Sequence, residues 1–200
     1  MLHSILELWH QIFNHFKAAC SLIIGFGCRG QKQPVQHLEQ AMNDLASFVE
    51  SKASDYALIC VTCDRHPLRH SSFSDFGGQW PSHCVESSVG AAVWPPLMLA
   101  LEKHPDLVRF LYKGESLDRD EYSIFQSSKG AAVMDSYIKV SGIEEIDICG
   151  LAGDVCVANT LRDALRIYPH IRFNILHHFT ASLDGGTLLS SLTGSTINHI

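Results

Sequence analysis

Three short segments of this 200-residue chain carry side chains able to do chemistry, and each comes after a run that reads as a buried β-strand. The first is Cys63-Asp64-Arg65-His66-Pro67-Leu68-Arg69-His70, an Asp-x-His-x3-His cluster, with His83 further along in Trp80-Pro81-Ser82-His83-Cys84. One carboxylate with two or three imidazoles suits a divalent ion such as Zn²⁺, Fe²⁺ or Mn²⁺, and a catalytic centre would keep positions open for water or substrate. The plainer alternative makes His66 and His70 exposed loop residues and His83 a hydrogen-bonded core histidine. The second segment is Lys113-Gly114. Lysine is rarely buried unless paired, so by itself this residue reads as a solvated charge. The third is Cys149-Gly150-Leu151-Ala152-Gly153-Asp154-Val155-Cys156-Val157. It puts the Cys156 thiol in the first turn of a helix, where the dipole favours thiolate and backbone N–H groups can face a developing oxyanion. That is a natural place for a nucleophile. Cysteine is also a common small buried hydrophobe, the reading that suits Cys20, Cys60 and Cys149 in their apolar strands.

The elements that must position these groups alternate in type. Strand-like runs rich in β-branched and apolar residues occur at Ser21–Gly25, Tyr56–Cys63, Val108–Tyr112, Ile146–Cys149 and Ile171–Leu176. Between them, Val35–Val49 sets Leu38, Met42, Leu45 and Val49 on one helical face, and Ala131–Val140 and Val155–Ile167 have the same character. The order predicts a three-layer α/β/α fold with a mostly parallel sheet, because each strand needs a helical crossover to return in the same direction. In such sheets ligands bind beyond the carboxyl ends of the strands. The longest irregular stretch, Asp64 to Pro96, starts from one of those ends, and loops that long in a compact domain are usually functional.

Composition removes several classes of function. With 46% hydrophobic and 18% charged residues the chain can bury one substantial core, so disorder and coiled coil are excluded. Lys plus Arg total 15 against 21 Asp plus Glu, a net charge of −6 with no basic run, which argues against nucleic acid. The seven cysteines lack the spacing of a disulfide framework and point to a reducing compartment. Cys60 and Cys63 lie three apart in a strand, so their thiols should face opposite ways and not pair. The apolar run from Ala18 to Gly27 is far short of the roughly 18–20 residues of a membrane span. Residues 1–20 read as an amphipathic helical appendage without a basic secretory leader, ahead of a domain at 21–200. The expectation is a soluble cytoplasmic protein, with no membrane or nucleic-acid partner.

Taken in order, Asp64-Arg65-His66-Pro67, His70-Ser71-Ser72-Phe73, Trp80-Pro81-Ser82-His83-Cys84-Val85, Gly90-Ala91, Lys113-Gly114, Tyr122-Ser123-Ile124-Phe125 and the Gly150–Val157 segment resemble the nicotinamidases of the isochorismatase-like cysteine hydrolase family. The Gly150–Val157 segment looks especially like those of invertebrate animals. The resemblance covers about Tyr56 to Ala181. It implies hydrolysis of nicotinamide to nicotinic acid and ammonia in NAD salvage, with one divalent metal, zinc first and iron or manganese as alternatives. Asp64, His66, His70 and His83 would surround that ion, with Asp64, His66 and His83 as direct ligands. Cys156 is implied as nucleophile, Lys113 as its activating cation, Ala152 and Cys156 as oxyanion-hole N–H groups beside a cis peptide at Leu151-Ala152, and Trp80 as the plane stacked on the ring. The substrate would be the small molecule nicotinamide, and the resemblance allows a homo-oligomer.

One part of the pattern is missing. The family's general base is an aspartate at the end of the first strand, where this chain reads Ser21-Leu22-Ile23-Ile24-Gly25-Phe26, so Gly25 stands in its place. A positioned base typically contributes about 10²- to 10⁴-fold in rate. The resemblance therefore leaves open a catalytically impaired or inactive pseudoenzyme that binds metal and nicotinamide-like ligands, or another isochorismatase-like cysteine amidohydrolase. The weakly patterned tail, Thr187–Ile200, further suggests a fold with pieces missing at both ends.

Overall fold

The computed structural model describes residues 19–26, by their backbone, and 37–200; the expected helical appendage at 1–20 falls almost wholly outside the described residues. In chain order the elements are β1 (Ala19–Phe26), α1 (Leu38–Lys52), β2 (Leu58–Asp64), α2 (Pro95–Leu101), β3 (Val108–Lys113), α3 (Ser128–Val140), β4 (Ile143–Leu151), α4 (Ala158–Ile167), β5 (Arg172–Ala181), α5 (Thr187–Ser191) and β6 (Ile197–His199). The six strands form one sheet in the order β3-β2-β1-β4-β5-β6, and every adjacent pair is parallel. The order reverses at β1, so the crevice that opens between crossovers running opposite ways lies at the carboxyl ends of the central strands.

Two apolar clusters cover the two faces of the sheet. Met42, Leu45 and Val49 of α1 pack with Leu97 and Leu101 of α2 over Ile59, Val61 and Cys63. On the other face Met134 and Ile138 of α3, Leu161 and Ala164 of α4, and Leu189 of α5 cover Leu58, Cys60, Ile146, Ile148, Phe173 and Ile175. Every residue of β2 is buried, as a central parallel strand with helices on both faces requires. Cys60 and Cys63 belong to opposite layers, which the period of two in a strand demands.

The structure differs from the sequence expectation in specific places. Pro95 and Pro96 open helix α2, where a missing N–H and a fixed φ are tolerated, and do not belong to the preceding loop. The helix expected over Val155–Ile167 is regular only from Ala158; Gly153–Val157 form a π-helical turn ahead of it. The tail holds both a helix and a strand, each too short for periodicity to reveal: α5 is five residues long and β6 three. Cys84 is disulfide-bonded, against the reading of the cysteines as uncrosslinked, while Cys60, Cys63, Cys149 and Cys156 carry free thiols. No helix among the described residues is long and apolar enough to cross a membrane.

Leu45 is fully buried between α1 and the sheet, whereas Val140 at the end of α3 is 84% exposed. Leu45→Ala should therefore lower the unfolding free energy by about 2–5 kcal/mol, and Val140→Ala should change it by less than about 0.5 kcal/mol, in parallel urea titrations.

Candidate active site

The register of β2 and β3 decides the centre of the site. Asp64 and Lys113, the last residues of these neighbouring strands, are direct partners in the ladder. Parallel strands in register point partner side chains to the same face, so the carboxylate and the ammonium meet. Lys113 Nζ donates to Asp64 Oδ1, and the two side chains are 2% and 7% exposed. Nζ also donates to the Glu121 carbonyl at 2.9 Å and lies 3.4 Å from Cys156 Sγ. The reading of Lys113 as a solvated charge thus fails, because three buried acceptors replace its water. Burial pulls the Lys113 pKa down, but Asp64 and Cys156 push it up by more, so the residue is held as the cation.

Cys156 comes to this pair from β4. The chain leaves the sheet at Leu151, the Leu151-Ala152 peptide is cis, and the π turn carries the thiol back over the strand ends. The Ala152 carbonyl accepts N–H bonds from Val155 and Val157, both 3.1 Å, which fixes the turn. The backbone of Ala152 also hydrogen-bonds the Cys156 sulfur. Gly153 is required here, since a Cβ would lie 2.2 Å from Ser182 Oγ. Cys156 Sγ is 4.0 Å from Asp64 Oδ2, so among the described residues Asp64 is the carboxylate set against the sulfur. The sequence reading expected lysine and helix terminus to hold a thiolate. Burial outweighs them and raises the Cys156 pKa to about 11, despite Lys113, so the resting group is the thiol.

The imidazoles form the opposite wall. His66 and His70 are buried, which removes the alternative that they are exposed loop residues; His83 is half-buried. The three rings pack together on one side of Phe73, whose centroid lies 5.7 Å from His66, 5.6 Å from His70 and 5.3 Å from His83. His66 Nδ1 is bonded to the Gly114 carbonyl at 2.9 Å and His83 Nδ1 to the Pro81 carbonyl at 2.7 Å. A carbonyl on Nδ1 fixes the tautomer that leaves Nε2 as the ligand atom, the usual support of a metal-bound histidine. His70 differs: Nδ1 faces Ser72 Oγ at 2.6 Å and Nε2 the Arg119 carbonyl at 3.2 Å. Burial lowers the His66 pKa further than Asp64 raises it, which keeps the ring neutral, the form that binds metal.

Among the described residues, two groups can each place three donor atoms within 4.8 Å of one another: Asp64, His66 and His83, and His66, His70 and Asp120. The first of these groups fits a divalent ion by donor type and by the tautomer its two histidines hold. Trp80 is half-buried beside His83, with ring centroids 6.5 Å apart, and its Nε1 donates to the Tyr122 hydroxyl at 3.2 Å. Sequence reasoning missed Asp120, Glu121 and Phe73 as parts of this wall. Glu121 is buried and accepts the Gly114 N–H at 2.8 Å, so it pins the turn after β3. The signal available for Asp120 and Glu121 was their position just before Tyr122-Ser123-Ile124-Phe125.

A parallel α/β sheet with a thiol, a lysine, a carboxylate and an imidazole cluster converging at its carboxyl edge has the architecture of a hydrolase that works through a cysteine. The profile of the Isochorismatase domain matches residues 23–167, and the chain belongs to that family. It is 29% identical over 146 residues to the nicotinamidase/pyrazinamidase of Mycobacterium tuberculosis, an alignment covering 71% of this chain and 74% of that protein. Against the nicotinamidase of Escherichia coli it is 31% identical over 142 residues, covering 62% of this chain and 63% of the relative. The solved pyrazinamidase of Pyrococcus horikoshii in complex with zinc superposes with a TM-score of 0.74 at 24% identity, over 90% of this chain and 98% of the other.

Gly114 takes φ +70°, and a Cβ there would stand 2.4 Å from His66 Cε1. Gly114→Ala should therefore push the His66 ring off its carbonyl partner and weaken divalent-metal affinity by about 10–100-fold, measured by competition with a chromogenic chelator. Lys113→Met leaves the Asp64 carboxylate buried without its cation and should cost about 3–5 kcal/mol in denaturant unfolding.

Proposed function

We propose that this protein is a nicotinamidase, a cysteine amidohydrolase that converts nicotinamide and water to nicotinic acid and ammonia. The observation that carries the reading is the contact of Cys156 Sγ with Lys113 Nζ at 3.4 Å beside the imidazole cluster, in a chain whose relatives are nicotinamidases. A divalent ion at the cluster would give the pyridine nitrogen a point of attachment and so aim the carboxamide at Cys156.

The remaining steps belong to the chain's own groups. Because the resting Cys156 is a thiol, its proton must go to a base before the sulfur attacks. In the family pattern that base ends the first strand, but here Gly25 stands there, paired with Thr62 and Gly150. Asp64 Oδ2 is the carboxylate oxygen facing the sulfur and takes the proton in this reading. The thiolate then bonds to the carboxamide carbon. The oxygen of the tetrahedral adduct is received by the N–H groups of Ala152 and Cys156, and the Asp64 proton leaves with the amine as ammonia. Water cleaves the thioester by the same route, releasing nicotinic acid and restoring the thiol. Trp80 stands at the edge of the metal wall, where it can cover one face of the ring.

Purified protein reconstituted with Zn²⁺ should release ammonia from nicotinamide, and Cys156→Ala should abolish the release while leaving nicotinate binding by calorimetry intact. Binding of nicotinate with no ammonia from the wild-type protein would sink the enzymatic reading and leave a ligand-binding relative.

A further inference from the structure

We propose that Glu121 is a positioning residue for both walls of the site: its side chain sets His66 through Gly114, and its backbone sets Lys113 against Cys156. What the two walls do is taken from the nicotinamidase reading; the link between them is a set of contacts within this chain. Glu121 Oε2 accepts the Gly114 N–H at 2.8 Å, and the Gly114 carbonyl in turn holds His66 Nδ1 at 2.9 Å. The backbone carbonyl of Glu121 accepts Lys113 Nζ at 2.9 Å, the same ammonium that lies 3.4 Å from Cys156 Sγ. One residue thus reaches the support of an imidazole and the cation beside the nucleophile.

The turn needs such a restraint. A Cβ at position 114 would strike the His66 ring, so the residue is held to glycine, and glycine by itself leaves the backbone free to turn. The carboxylate supplies the constraint that the residue type lacks. Burying it, at 5% exposure, for packing alone would be unfavourable, since a buried charge must be paired and hydrogen-bonded. Here every polar group of Glu121 has a partner. Oε1 accepts from Arg119, Oε2 from Gly114, the carbonyl from Lys113, and the N–H donates to Asp120 Oδ1 at 3.0 Å. Arg119 is 61% exposed and also donates to the Gln126 carbonyl at 3.2 Å, so it braces the carboxylate from the solvent side. Among the described residues Glu121 belongs to neither group of three donor atoms, so its loss removes no ligand atom of either.

The test is titration of metal-free full-length protein with Co²⁺, followed by calorimetry and visible absorption, with no substrate present. Glu121→Ala should raise the Kd about 10- to 100-fold, the loss expected when the support of a metal-bound histidine is removed. Glu121→Gln keeps an oxygen for the Gly114 N–H, lets the exposed Arg119 turn to water, and should stay within about 3-fold of wild type on the same scale. Leu45→Val loosens the core under α1 and should leave the Kd unchanged. At saturating Co²⁺, kcat for ammonia release by Glu121→Ala should remain about 10- to 100-fold below wild type, because Lys113 has lost its fixed carbonyl. Wild-type Co²⁺ affinity in Glu121→Ala overturns the proposal, as does equal weakening in Leu45→Val or no rescue in Glu121→Gln. Full recovery of kcat at saturating Co²⁺ overturns the link to Lys113. The expected Kd pattern without ammonia release from the wild-type protein leaves the link to His66 standing and the activity refuted.

Discussion

The buried ion pair between Asp64 and Lys113 is the constraint around which the site is arranged. An ammonium and a carboxylate can leave water together only if further acceptors and donors complete their shells. The Glu121 carbonyl and the Cys156 sulfur complete that of Lys113. Those contacts dictate that the turn after β3 must fold back toward Asp64, which Glu121 secures through the Gly114 N–H, and that β4 must deliver its thiol to the same spot. The positive φ of Gly114 and its lack of a side chain arise from the same crowding, because His66 leans on that residue's carbonyl. The ladder partnership of the last residues of β2 and β3 thus reaches, in three contacts, the nucleophile on one side and the imidazoles on the other.

Much of this was legible in the sequence because the relevant signals are local. The alternation of apolar strands with amphipathic helices gave the three layers, and the spacing of Leu38, Met42, Leu45 and Val49 gave the buried face of α1, since burial and periodicity are one property seen twice. The three chemical segments stand out because each begins where an apolar strand ends, at the edge of a parallel sheet that binds ligands. Short elements escaped: α5 and β6 hold too few residues to show a period, and α2 is announced by prolines that also mark loops. The surroundings of Cys156 escaped for a different reason: helix position and a neighbouring lysine can be inferred from a sequence, but depth of burial at one atom cannot, and burial raises the pKa of the thiol here.

The two carboxylates show the same division between what spacing reveals and what folding adds. Asp64 was singled out for its distance from two histidines along the chain, yet its nearest partners come from β3 and the turn after β4. Asp120 drew no notice, being 50 residues beyond His70, and it arrives at the cluster only because the segment after Lys113 doubles back. Gly25, where the resemblance implies a base, holds its place in the ladder by backbone alone, pairing with Thr62 on one side and Gly150 on the other.

Phe73 gives the imidazole wall a property of its own. By packing a rigid hydrocarbon ring against His66, His70 and His83, it restricts their rotamers as part of chain folding. Most of the entropy of ordering those side chains is then settled before any ion arrives.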